Sequence, residues 1–383
     1  MTRILFVSHT AELKGAERFL LDVLRALDRT RFAPRLVVPR PGPLEKEAVA
    51  AGVPASVVPF KWWITEPSRV WKQPLASLWN RPAVGTIARL IEAHDIDLVF
   101  SNSAAVAVGA LAARRAGVPH VWFIHEVLAG ASPMLRSFFG NRHLVRMICR
   151  RSRLVVVNSL ASGRAFAGCA DVEVVYNGLP DGAGRAVPRA GLRRELGLEP
   201  DDQAVGVVGT LFPGKGQREA VLAVASLAAR FPRLRLLLVG EPADAKYVRT
   251  IERVIARHGL GGRVILCGFR SDLAEVLALL DLLLVPSTVD SFGRVALEAM
   301  AAEVPVVAVA RGGLPEVVKH GETGFLVDGP EPGQLAGGMA AVLDDPAKAR
   351  QVAARAAQEV RRRFSLTAEV RKLERLLEGC VER

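Results

Sequence analysis

The chain alternates between two patterns of apolar and polar positions. Short continuous apolar runs recur at Arg3–Ser8, Arg35–Val38, Ser56–Val58, Leu98–Ser101, His120–Ile124, Leu154–Asn158 and Glu173–Tyr176. Each has the length and composition of a strand buried on both faces. Between them lie helical stretches, including Ala16–Leu27, Leu44–Ala51, Pro82–Ala93 and Ala104–Ala116. Strands apolar on both faces and separated by helices predict a parallel sheet with helices on each side, a doubly wound α/β domain.

The pattern breaks at Asn177–Arg189, which is rich in Gly, Pro and Arg and reads as a linker. It then restarts. Strands are expected at Ala204–Gly209, Arg235–Val239, Val264–Cys267, Leu282–Pro286, Val306–Val309 and Gly324–Val327. Helices are expected at Arg218–Arg230, Ala245–His258, Leu273–Leu280, Val295–Ala302 and Pro332–Leu343. The reading is two doubly wound domains in tandem, 1–178 and 179–365, with a helical tail 366–383 that could pack on either domain, the first being one option. Ligands of such sheets bind beyond the carboxyl ends of the strands. The loops that follow the strands are therefore where chemistry is sought, and a cleft between the domains is the natural site.

Composition narrows the class. Of 383 residues, 50% are apolar and 23% charged, which excludes a disordered chain. Four scattered cysteines (Cys149, Cys169, Cys267, Cys380) form no CxxC pair, so neither a disulfide framework nor a structural zinc site is expected, and a reducing cytosol fits. The apolar run Ile4–Val7 is too short for a signal-peptide core, and no run approaches the ~20 residues of a membrane helix. A soluble, cytoplasmic protein is expected. The net charge is +12, and residues up to Pro180 hold 23 basic against 13 acidic side chains. A first domain so basic suits a polyanion, an anionic lipid surface or a phosphorylated substrate, or is a solvated arginine-rich face.

Four segments carry candidate chemistry. Pro286–Met300 (PSTVDSFGRVALEAM) runs from a strand through Gly293 into a helix. The unpaired N–H groups of such a helix start suit an anion, and Asp290 and Glu298 could accept hydroxyls of a sugar. Taken alone, Asp290 could equally cap the helix and Glu298 could be a solvated helix residue. Val208–Gln217 (VGTLFPGKGQ) places Lys215 between two glycines after a strand, without the spacing of a Walker loop. Ser8–Arg18 sets Gly15 at a helix start. His125 and Glu126 follow a buried strand, where a lone histidine is more often structural.

In their order and spacing, with Val306–Glu316 (VVAVARGGLPE) and Gly321–Val327 (GETGFLV) downstream, these segments resemble the family-4 retaining glycosyltransferases, which have the GT-B fold. The resemblance spans nearly the whole chain and is strongest over 205–330. It implies a nucleotide-diphospho-sugar donor held mainly by the second domain. Glu298 would then accept the ribose hydroxyls, and Asp290, first carboxylate of an E-x7-E pattern, the donor-sugar hydroxyls. Ser291, Phe292 and Gly293 would line the phosphate and sugar, Lys215 would neutralise the diphosphate, and Gly15 would let the first domain's loop approach it. Gly268, Phe269 and Arg270 would flank the base, and His125 would lie near the reacting carbon. The resemblance also implies transfer with retention of anomeric configuration, needing no cofactor or metal. No DxD pair stands near these loops.

Three positions depart from the family pattern. Asp290 is one methylene shorter than the usual Glu. Thr210 stands where many members carry an Arg, leaving Arg218, Arg270 and Arg294 as candidates for the second cation. Lys14–Gly15 replaces the frequent Gly-Gly.

The acceptor side is marked by Lys61, Trp62, Trp63, Trp71 and Trp79, and by the arginine-rich stretch Leu135–Arg151. Aromatics beside cations suit a sugar, a membrane interface or simple core packing. An amphipathic basic helix lying on anionic lipid is expected within Leu135–Arg151. The expected partners are thus the nucleotide-sugar, a sugar or lipid-linked acceptor, and an anionic membrane surface, in envelope polysaccharide or glycolipid synthesis. No motif supports nucleic-acid readout. An epimerase or phosphorylase-like relative ranks below the transferase. The competing class is a catalytically impaired relative that binds polyanions or membranes.

Overall fold

The computed structural model describes the chain except residues 65–69, 72, 74–77, 129–134, 185 and 383. The chain divides into two compact units, Met1–Pro180 with Ser365–Arg383, and Asp181–Phe364.

The first unit is built on a parallel sheet of seven strands: β1 (Thr2–Ser8), β2 (Phe32–Val38), β3 (Ala55–Val57), β4 (Leu98–Asn102), β5 (His120–Ile124), β6 (Leu154–Val157) and β7 (Val172–Val174). Their order across the sheet is β3-β2-β1-β4-β5-β6-β7. Helices α1 (Gly15–Ala26), α2 (Pro43–Ala50), α3 (Arg81–Ala93), α4 (Val108–Ala116) and α5 (Asn141–Arg151) cover it. One core layer joins Phe6, Phe19, Phe32, Phe100 and Phe123. On the other face Leu5, Ile87, Val99 and Val108 pack together, and further along Trp122, Leu144 and Ile148 do so.

The second unit repeats the plan with β8 (Gln203–Val208), β9 (Leu234–Val239), β10 (Val264–Gly268), β11 (Leu282–Val285), β12 (Val306–Val309) and β13 (Phe325–Val327), in the order β10-β9-β8-β11-β12-β13. Its helices are α6 (Gln217–Leu227), α7 (Ala245–Arg257), α8 (Leu273–Ala278), α9 (Arg294–Ala301), α10 (Pro332–Leu343) and α11 (Pro346–Arg363). In both sheets the chain winds outward one way from the first strand and then returns to wind the other way. The switch lies between β1 and β4 in one unit and between β8 and β11 in the other. In doubly wound sheets such a switch point, beyond the carboxyl ends of the strands, is where ligands bind.

The last helix, α12 (Leu366–Val381), returns to the first unit. Leu366, Val370, Leu373, Leu377 and Cys380 recur at three- and four-residue spacing, form one apolar stripe and join the core of Phe19 and Phe32. Ser365 accepts the N–H of Ala368 at 3.3 Å and so caps the helix. Buried Glu374 accepts the N–H of Asp28 at 2.8 Å. Each such leucine removed from water contributes roughly 1.5–3 kcal/mol.

Two expectations change. The helix expected over Ala104–Ala116 begins only at Val108. The preceding residues are held instead by a tight loop, in which the N–H of Ala104 binds Glu126 at 3.0 Å and that of Ala105 binds the Ser103 hydroxyl at 3.1 Å. The cysteine reading is also corrected, because Cys149 and Cys169 are disulfide-bonded while Cys267 and Cys380 are free. Cys149 lies on α5, and the fold brings the two α-carbons to 5.4 Å despite a sequence separation of 20. Among the described residues no helix is long and apolar enough to cross a membrane.

Candidate functional site

The second unit gathers its candidate residues at the switch between β8 and β11. The loop after β8 must turn sharply, and glycines permit it. Gly209 has φ +140° and Gly216 φ +72°, and a Cβ on Gly216 would lie 2.5 Å from the Pro286 carbonyl oxygen. The two loops are tied at 3.1 Å by the N–H of Thr288 donating to the carbonyl of Gly214. Buried Gln217 donates to the Thr210 carbonyl at 3.1 Å. This brings the Lys215 ammonium onto Asp290 Oδ1 as an ion pair. The other oxygen, Asp290 Oδ2, is buried and accepts no hydrogen bond.

A third loop closes behind Asp290. Gly313 donates its N–H to the Asp290 carbonyl at 3.0 Å. A Cβ on Gly312 would sit 1.9 Å from that same oxygen, so only glycine fits. Gly293, at φ +88°, turns the chain into α9, and buried Phe292 anchors the turn with its ring 5.8 Å from Phe364. Ser291 lies between Asp290 and Phe292 in the same loop. Glu298, on the second turn of α9, is bound at 3.0 Å by Arg294.

The structure thus brings Lys215, Asp290, Ser291, Phe292, Gly293 and Glu298 to one edge, with Thr210 in the adjoining loop. Gly268, Phe269 and Arg270 stand at the end of β10, two strands from the switch. There Phe269 presents its ring to solvent and Gly268 takes φ +64°. Arg270 is committed elsewhere, to Asp272 at 2.8 Å and Glu195 at 2.8 Å. Asp272 and then Glu195 push its pKa up, and the hydrogen bond from Arg270 holds the Asp272 carboxyl far down. Arg218 pairs with Glu219 at 2.9 Å. Each of the three arginines named as candidates for the second cation is thus paired with a carboxylate in this structure.

The first unit builds a second cluster at its own switch. His125 follows β5, and its Nε2 lies 2.7 Å from Asn102 Oδ1 at the end of β4. With that oxygen accepting, Nε2 carries the proton and Nδ1 offers its lone pair. Nδ1 is buried without a partner. Burial, and then the neighbouring His9, pull the His125 pKa down to about 3. His125 is therefore a neutral imidazole at ordinary pH, suited to accepting a hydrogen bond from a hydroxyl rather than taking its proton.

Glu126 fixes the loop around it. Glu126 Oε1 accepts the Ser103 hydroxyl, while Oε2 accepts the N–H groups of His125 and Ala104 at 3.0 Å each. Ser103 is thereby held at φ +105°, a strained value for a residue with a Cβ. His9, after β1, lies 2.9 Å from the buried carboxylate of Glu17 on α1. Burial opposes its protonation, but the attraction of Glu17 and then Glu126 outweighs it, so its pKa is raised. Gly15 opens α1, and a Cβ there would meet nothing within 4 Å.

Asn102, His9 and Glu17 were not singled out by sequence reasoning, and Glu126 was named only as the neighbour of His125. Their only signal was position, each lying at or just beyond the end of a strand or in the helix start that follows. The tryptophans separate. Trp63 stacks on Trp122 at 5.5 Å and is core packing, and Trp62 donates to the His9 carbonyl at 2.6 Å. Trp71 and Trp79 remain exposed, the latter with Lys61 Nζ 4.0 Å above its ring. The rest of that aromatic stretch, at 65–69, 72 and 74–77, lies outside the described residues. Among the described residues no three His, Cys, Asp or Glu side chains are grouped to hold a metal ion.

Comparison with known proteins follows the same division. Residues 189–360 match the model of the glycosyl transferases group 1, and residues 13–181 that of glycosyltransferase family 4. A D-inositol 3-phosphate glycosyltransferase of Thermobispora bispora is 32% identical over 294 residues, 72% of this chain and 68% of that one. The Corynebacterium glutamicum protein of the same description is 40% identical over 181 residues, 46% of this chain and 42% of its own length. Against the corynebacterial relatives, the match thus spans about two fifths of their length. Among solved structures, Anabaena HepE in complex with UDP and glucose superposes with a TM-score of 0.84 at 28% identity, over 99% of this chain and 100% of that one. The two parallel-sheet units are those of the GT-B fold.

Proposed function

We propose that this chain, which belongs to the family-4 glycosyltransferases of group 1, moves a sugar from a nucleotide-diphospho-sugar to a hydroxyl acceptor with retention at the anomeric carbon. The observation that carries the donor site is the Lys215–Asp290 pair at the β8/β11 switch, with one buried Asp290 oxygen still lacking a donor. A diphosphate carries two or more negative charges and competes with Asp290 for the lysine. Once displaced, the carboxylate is free to turn, and its oxygens accept sugar hydroxyls. Binding the phosphate thus prepares the sugar subsite. An unsatisfied buried acceptor costs about 1–3 kcal/mol, which a sugar hydroxyl recovers.

The leaving diphosphate gains negative charge as the sugar–oxygen bond breaks. Lys215 and the N–H groups at the starts of α6 and α9 oppose that charge, so the reaction proceeds without a metal. The acceptor oxygen attacks from the face the diphosphate leaves, and its proton passes to the departing phosphate oxygen. No carboxylate nucleophile is required, unlike retaining glycosidases. His125, neutral and with a free Nδ1 lone pair, accepts a hydrogen bond from the donor sugar, and Glu126 and Asn102 hold it in place. Glu298, released from Arg294, takes the ribose hydroxyls, and exposed Phe269 stacks on the base.

HepE was solved with UDP and with UDP-glucose, which makes UDP-sugars the first donors to test. Relatives described as acting on inositol 3-phosphate support a small polyhydroxylated or phosphorylated head on the acceptor, carried in glycolipid or polysaccharide synthesis. The test is a melting-temperature panel of UDP, GDP, ADP and their sugars, with and without EDTA. Ligand at 100 times its Kd adds about 2.7 kcal/mol of stability. A rise with one nucleotide family that survives EDTA supports the reading. No rise with any of them refutes the donor site and favours an impaired relative that only binds anions.

A further inference from the structure

The first unit holds a cavity of about 1090 Å³ along α5, away from the residues assigned to the donor. Arg136, Arg142, Arg146 and Arg150 line it, the last three recurring every four positions and so forming one stripe. None of the four makes an ion pair among the described residues, whereas nine arginines of the second unit do. The opposite face of α5 is fixed to the core by buried Leu144 and Ile148. The cavity also has apolar walls in Val70, Leu128 and Val145.

Its rim is aromatic and exposed. Phe138 is 49% and Phe139 71% exposed, and Trp71, beside Val70, is 65% exposed. Gln73 holds the two sides of the rim together, donating to the Arg136 carbonyl at 2.5 Å and accepting the N–H of Phe138 at 2.6 Å. A soluble anion would account for the arginines but not for three aromatic rings left in water. A purely apolar partner would account for the rings but not for four cations that lack an ion-pair partner among the described residues. An anionic lipid accounts for both, with its phosphate among the arginines and the rings at the level of the headgroups.

We propose that the α5 cavity is a docking site for anionic phospholipid, seating the first unit on a membrane surface. This deepens the proposed function by giving its lipid-side contact, but its test reads vesicle binding and so stands or fails apart from sugar transfer. Purified full-length protein is sedimented with phosphatidylcholine vesicles, with and without about 30% phosphatidylglycerol. The expected result is binding to the anionic vesicles alone, lost in about 0.5 M salt. Each basic residue near such a surface is worth about fivefold, so the triple variant Arg142→Ala/Arg146→Ala/Arg150→Ala should bind about 100-fold more weakly. The variant Phe138→Ser/Phe139→Ser should weaken binding while leaving the charge unchanged.

A charge-matched control, Arg81→Ala/Arg114→Ala/Arg115→Ala, removes three cations from a separate basic hollow in the same unit. An equal loss in the control would refute the cavity in favour of diffuse charge. So would an unaltered triple variant, or no binding of the wild type to anionic vesicles. Stabilisation by inorganic phosphate or glycerol 3-phosphate without vesicle binding would assign the cavity to a soluble phosphate instead. Melting curves in the absence of ligand confirm that each variant is folded.

Discussion

Replacing Asp290 by Asn removes a charge while keeping the side chain's size, and it isolates the competition at the centre of the proposed donor site. Lys215 and Asp290 are only 22% and 14% exposed, so their attraction is weakly screened. Two unit charges 4 Å apart are worth about 4 kcal/mol at an effective dielectric constant of about 20. Desolvation and side-chain entropy offset much of that, leaving about 1–2 kcal/mol that a bound diphosphate must overcome. Without the competing carboxylate, the nucleoside diphosphate selected by the melting panel should bind about 5–30 times more tightly. Turnover of the nucleotide-sugar should move the other way and fall about 10–100-fold, because a charged acceptor for the sugar hydroxyls is lost. Calorimetry of the diphosphate against wild type, Asp290→Asn and Asp290→Glu reads the first effect, and product formation the second. The Glu variant keeps the pair and should bind like wild type. Unchanged or weaker diphosphate binding by a folded Asp290→Asn protein would show that the lysine was never held in check, and the reasoning would fall.

Three further outcomes are expected. Buried His120 has its pKa lowered to about 3 by burial, so between that value and about 6.5 the unfolded chain binds a proton the folded one refuses. Stability should therefore fall as pH drops below 6.5, by about 2 kcal/mol at pH 5 from His120, with His125 adding to it and His9, shifted upward, opposing. Acid melting curves of wild type and His120→Gln check this, and a variant as acid-sensitive as wild type would contradict it. Gly312→Ala forces a Cβ onto the Asp290 carbonyl at φ +57° and should cost at least ~2 kcal/mol together with diphosphate binding, read by melting and calorimetry. Gly15→Ala meets open space at a helix start, so its melting temperature should hold or rise slightly while transfer slows if the donor approaches there; a lowered melting temperature would count against that assignment.

The sequence by itself determined the repeating strands and helices and the break between the two units. Those follow from which positions are apolar, and that period survives in one dimension. It also marked the loops at Lys215 and Asp290, because glycines and charges beside strand ends signal sharp turns near a ligand. What it could not give was pairing. That Lys215 lies on Asp290, 75 positions away, follows only from β8 and β11 being neighbours in the sheet. That Arg270 turns to Asp272 and Glu195 depends on where the end of β10 meets the short helical turn carrying Glu195. The bridge between Cys149 and Cys169 was likewise invisible, because spacing along the chain carries no distance once a helix and a strand intervene. His125 was legible as a strand-end histidine. Its neutrality was not, since burial and the charge of His9 are set by α1 packing across the ends of β1 and β4. Local periodicity thus fixed the elements, and the order in which the strands stack decided which charges meet.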